Sequence, residues 1–96
     1  MLEQFVAHHP ADAFGRYGLA MECAKLGDNA AEANFKQLID SHPAYVAAYF
    51  QFGQLLAKLG RVAEARKILS EGISQAVTIG DEHARNEMQS ALDELA

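Results

Sequence analysis

The sequence predicts an all-α fold of repeated helical hairpins closed by a C-terminal capping helix. Three observations carry that expectation. The chain repeats itself at a shift of 33 residues: Ala24-Lys25-Leu26-Gly27 returns as Ala57-Lys58-Leu59-Gly60, and His9-Pro10-Ala11 as His42-Pro43-Ala44. A fixed period of 20–50 residues is the mark of a repeat architecture. Apolar residues recur at helical spacing between glycine and proline punctuation. Finally, the composition is rich in alanine and leucine and contains no tryptophan, which favours helix over strand.

The first element expected is a short leading helix over 2–9, with Leu2, Phe5 and Val6 on it. It is too short to be stable alone. Gln4-Phe5-Val6 matches Gln37-Leu38-Ile39 at the same shift, so this segment reads as the end of a preceding unit. The first whole repeat runs over 12–43. Its first helix, 12–26, is apolar on more than one side through Phe14, Tyr17, Leu19, Ala20, Met21, Cys23 and Ala24. Its second, 29–41, is amphipathic, with Ala31, Phe35, Leu38 and Ile39 in one stripe. The second repeat spans 45–78. Tyr45, Val46, Tyr49, Phe50, Phe52, Leu55, Leu56 and Leu59 crowd its first helix, and Val62, Ala65, Leu69 and Ile73 form the stripe of its second. Gly27 and Gly60 follow the first helices where a helix ordinarily ends. Pro10 and Pro43 separate units, since proline is accepted in a first turn but not in a helix interior. After Gly80, Asp81 can cap a last helix over 81–95, with Ala84, Met88, Ala91, Leu92 and Leu95 on one face. A repeat array needs such a helix, polar on its outer side, to cover its end. The alternative reading is an acidic docking helix.

Ninety-six residues make one domain, 1–96. The net charge is −5, and the stretch 81–96 contributes −4 of it, from five acidic residues against Arg85. Such a balance argues against a nucleic-acid partner, whose phosphates demand clustered Lys and Arg. No apolar run reaches the roughly 18 residues of a membrane helix, and MLEQFVAHHP has no signal-peptide pattern. Cys23 is the only cysteine, so no intrachain disulfide forms. The expected setting is soluble and cytoplasmic, with no membrane contact. Met1 and the terminal cap suggest a whole small protein.

The positions that repeat are those of a known packing code, and here the chain resembles the tetratricopeptide-repeat family. In the second unit, Tyr49 stands at that family's large aromatic, Phe52-Gly53 at its Leu-Gly pair and Leu56 at its later tyrosine. Gly60 stands at the turn, Ala65 at the small residue of the second helix, Leu69 at its bulky partner and Gly72 at the last small position. In the first unit, Leu19-Ala20, Gly27, Ala31, Phe35 and Pro43 match, while Arg16, Cys23 and Leu38 depart from the pattern. The resemblance covers about residues 2–80 and implies that Ala20 and Gly53 let paired helices approach closely.

The family's first helices line a concave groove that holds an extended or helical peptide. The resemblance therefore implies a partner-binding groove of Phe14, Tyr17, Met21, Ala24 and Lys25 in the first unit. Phe50, Gln51, Gln54, Ala57 and Lys58 continue it in the second. Aromatic residues and methionine suit protein-binding surfaces. Phe14, Tyr17 and Phe50 could equally be core. The family's chaperone-tail binders grip a carboxylate with lysine and asparagine, where this chain has Tyr17 and Phe50, Met21 and Gln54; that role is not expected.

No catalytic residue, metal site or cofactor is expected. His8-His9 and His42 precede prolines, and adjacent histidines cannot share a helix face or complete a metal site by themselves. Cys23 reads as a small buried apolar residue. The expected function is a non-catalytic interaction module that binds a peptide or protein segment. The alternative is a self-associating structural module, a homodimer without a separate ligand.

Overall fold

The computed structural model describes residues 12–95, and there the chain is helical throughout, with no strand. The leading helix expected at 2–9 and the His8-His9 pair lie outside the described residues. Five helices follow one another: α1 (Ala13–Lys25), α2 (Ala30–Ser41), α3 (Val46–Lys58), α4 (Val62–Ile79) and α5 (Glu82–Asp93). They fall into two compact units, with the division after Tyr45. The first holds the α1–α2 hairpin. The second holds the α3–α4 hairpin and α5, which packs on both α3 and α4. The architecture is thus the expected one of helical hairpins with a terminal covering helix.

Local chemistry sets the ends of these helices. Asp12 Oδ1 accepts from Gly15 N at 2.7 Å, which satisfies one of the backbone donors that open α1. Asp28 Oδ1 accepts from Ala30 N at 2.9 Å before α2, and Asp81 Oδ1 from Ala84 N at 3.0 Å before α5. The two inter-helix turns are copies of each other. Asp28 N donates to Cys23 O at 2.8 Å in the first, and Arg61 N to Leu56 O at 2.9 Å in the second. Both wrap over a left-handed glycine, Gly27 at φ 70° and Gly60 at φ 79°. An L-residue with a Cβ would be strained there by about 1–2 kcal/mol. The sequence repeat is therefore a repeat of turn geometry.

In the first unit, Ala20 and Cys23 of α1 are buried against Ala31, Phe35 and Leu38 of α2. In the second, Tyr49, Phe52 and Leu56 of α3 meet Ala65, Leu69 and Ala76 of α4, and Met88 of α5 is fully enclosed. Two glycines permit these contacts. A Cβ on Gly53 would stand 2.6 Å from Leu69 Cγ, and one on Gly72 would stand 2.5 Å from both Tyr49 Cβ and Met88 Sδ. Real carbon contacts settle near 3.5–4.0 Å, so α3, α4 and α5 come together where Gly72 has no side chain. One expected stripe position departs from this pattern. Val62 is 38% exposed, because it is the first residue of α4 and precedes the face that turns inward; Gly72 and Ala76 complete the stripe instead.

Candidate functional site

The candidate binding residues lie on the first helix of each unit. On α1, Phe14 is 72% exposed, Lys25 is exposed, and Tyr17 and Met21 are half-buried. Phe14 is therefore not core. On α3, Gln54 and Lys58 are exposed, and Phe50 and Gln51 half-buried. Ala24 and Ala57 are half-buried as well. The opposite side of α3 carries Tyr49, Phe52 and Leu56, which explains the division: helical spacing sends 49, 52 and 56 inward and leaves 54 and 58 outside.

Lys25 and Lys58 stand in the last turns of α1 and α3. A cation there meets the negative end of the helix dipole, a modest favourable interaction. Among the described residues neither ammonium has a carboxylate within ion-pair distance; pairs formed elsewhere include Lys36–Glu32, Arg61–Glu64 and His83–Glu87.

The structure adds partners within the first unit that sequence reasoning missed. Tyr17 stacks at a 45° tilt on Tyr45, the rings 5.3 Å apart, so the aromatic expected on a binding face is partly spent on packing. Burial raises the Tyr45 phenol above its ordinary pKa, and the Asp12 carboxylate adds to the shift by repelling a phenolate. Arg16 stands where the second unit has Tyr49. Its Nη1 donates to Asn34 Oδ1 at 2.8 Å and to Gln37 Oε1 at 2.7 Å, which clamps α1 to α2 through hydrogen bonds. The available signal was an arginine in an aromatic's place, with two amides three residues apart on the facing helix.

The chemistry on offer is non-covalent: aromatic faces, primary amides and ammonium groups. Among the described residues no group of three or more His, Cys, Asp or Glu side chains could hold a metal ion. Cys23 is buried and outside any disulfide. No described helix is long and apolar enough to cross a membrane.

A family model described as tetratricopeptide repeat matches residues 29–91. A solution NMR structure of a tetratricopeptide repeat domain protein from Salinibacter ruber is similar to this chain at 36% identity and a TM-score of 0.82. The match covers 90% of this chain and 88% of that one. A crystal structure of a tetratricopeptide repeat domain protein from the same organism is similar at 33% identity and a TM-score of 0.81, over 88% of this chain and 94% of that one. Among curated proteins none matches.

Proposed function

The chain belongs to the tetratricopeptide-repeat family, and from that premise we propose that it is a non-catalytic interaction module whose first helices bind a peptide or protein segment. Repeats of this type are in general scaffolds for protein–protein contact. The single observation that carries the reading is the pattern of exposure on α1 and α3. Each helix turns one side to its hairpin partner and leaves aromatic, thioether or amide side chains and a lysine exposed or half-buried on the other side: Phe14, Tyr17, Met21 and Lys25, then Phe50, Gln51, Gln54 and Lys58. Aromatic and methionine side chains are the ones enriched in interface cores.

The test is a capture experiment with the Phe14→Ala and Phe50→Ala double variant against the unaltered chain, with helicity measured on both. Loss of captured proteins at unchanged helicity supports the reading. Retention of every captured protein would refute it.

Self-association is the second reading, favoured by Leu26 and Leu59, which are exposed at equivalent places in the two inter-helix turns. Light scattering over a wide concentration range decides it. A monomer at every concentration removes this reading.

A further inference from the structure

A short corner joins α4 to α5 in the second unit. Two residues make it, Gly80 and Asp81. Gly80 takes φ +76°, its N donates to Val77 O at 3.2 Å, and Asp81 N reaches back to Ala76 O at 2.9 Å. An open cavity of about 410 Å³ lies there, with Val77, Gly80 and Arg85 among its lining. Val77 is 60% exposed and Ile79 is also exposed. Beyond the corner α5 buries one side chain completely, Met88, and its far end is tied to α4 by a hydrogen bond from Arg66 Nη2 to Leu95 O.

The apolar pattern does not break at this corner. Ile73, Val77, Ala84, Met88, Ala91 and Leu95 follow one another in steps of four, seven, four, three and four residues, the spacing of one stripe on one helix. Gly80 falls in the same line. The left-handed glycine and the Asp81 cap set the α4–α5 corner, and Met88 against Gly72 together with the Arg66–Leu95 hydrogen bond holds α5 on the hairpin. Were Gly80 to turn right-handed, α4 and α5 would form one helix, and Val77, bare in the hairpin, would join a continuous apolar seam.

We propose that α5 exchanges between two copies of this chain: Gly80 straightens, α4 and α5 fuse, and each α5 docks on the α3–α4 hairpin of the other copy while the Val77 seams pack together. The receiving surface already fits α5, because it is the surface α5 occupies in the closed form, so exchange rebuilds the contact around Met88 and Gly72. Short hinges favour exchange of this kind. The proposal gives the self-association reading a specific mechanism, and its test separates the two.

The experiment measures molar mass by light scattering on the full chain, on Gly80→Ala, on Gly80→Asn and on Gly80→Ala combined with Val77→Gln, each over a wide concentration range. Alanine penalises the left-handed corner and favours continuous helix, so Gly80→Ala dimerises more tightly than the unaltered chain, by on the order of tenfold per copy. Asparagine tolerates the left-handed conformation and leaves the chain near its original behaviour. Val77→Gln, harmless at an exposed position of the closed form, puts an amide into the seam and weakens the Gly80→Ala dimer. Gly80→Ala that stays monomeric, or that dimerises no better than Gly80→Asn, overturns the exchange. A Gly80→Ala dimer indifferent to Val77→Gln overturns it as well, and leaves association through another face.

Discussion

Replacing Gly72 by alanine tests the packing argument most directly. The added Cβ would stand 2.5 Å from Tyr49 Cβ, 2.5 Å from Met88 Sδ and 3.0 Å from Tyr49 Cγ. Ordinary contact begins near 3.5 Å, so two neighbours must retreat by about 1 Å. Met88 Sδ is near the end of a flexible chain and can give way. Tyr49 Cβ is bonded directly to the α3 backbone and can retreat only if α3 moves. Overpacking of this kind costs about 1–3 kcal/mol, and the rigid obstacle places Gly72→Ala toward the upper end. Alanine returns about 1 kcal/mol through its helix propensity. The net expectation is a loss of about 2 kcal/mol, or roughly 8–16 °C in melting temperature for a domain of this size. Gly53→Ala supplies the internal comparison. There the obstacles, at 2.6 Å, are Cγ and Cδ2 of Leu69, out on a side chain, so the overpacking and propensity contributions nearly cancel. Urea unfolding followed by circular dichroism measures both. If Gly72→Ala proved as stable as the unaltered chain, or Gly53→Ala proved the worse of the two, the three-helix contact at Gly72 would not be as described.

Four further outcomes are expected. Asp81→Ala, which removes the acceptor for Ala84 N, should cost about 1 kcal/mol and lower helicity in α5 first, as amide exchange would show. Asp12→Asn keeps an N-cap acceptor for Gly15 N but removes the charge beside Tyr45, so phenolate absorbance from Tyr45 should develop at lower pH than in the unaltered chain. Because the folded pKa of Tyr45 lies above its unfolded value near 10.0, the stability it contributes is full below that value and disappears as pH rises through the folded pKa; Tyr45→Phe should flatten that alkaline decline. Arg16→Met should cost about 1 kcal/mol, measured in urea, through the hydrogen bonds to Asn34 and Gln37.

Those residues also show what the sequence could and could not convey. The hairpins were legible because glycine, proline and apolar spacing act locally: Gly27 and Gly60 end helices wherever they are placed, and the 33-residue shift records the same turn twice. Asp81 as a cap was legible for the same reason. The clamp from Arg16 was not, since its two amides lie 18 and 21 residues away and only the closed hairpin brings them within reach. The Tyr17–Tyr45 contact likewise joins the start of one helical pattern to the residue before another. Val62 was assigned to a stripe by periodicity, which does not register that a helix's first residue overhangs the helix it packs on. For the binding face, exposure separated Phe14 from the core, whereas spacing alone left both possibilities open.

The hydrogen-bonded clamp in the first unit has a consequence for how such proteins can be rebuilt. Tyr49 in the second unit lies against a position with no side chain, Gly72; Arg16 in the first faces a helix that carries Leu38 at the equivalent place. The two hairpins therefore use different locks, one of shape and one of directed hydrogen bonds. Neither key turns in the other. A hybrid that joined α1 to α4 would bring a guanidinium to a helix without its amides, and one that joined α3 to α2 would press tyrosine on leucine. Shuffling of parts in this chain has to proceed by whole hairpins.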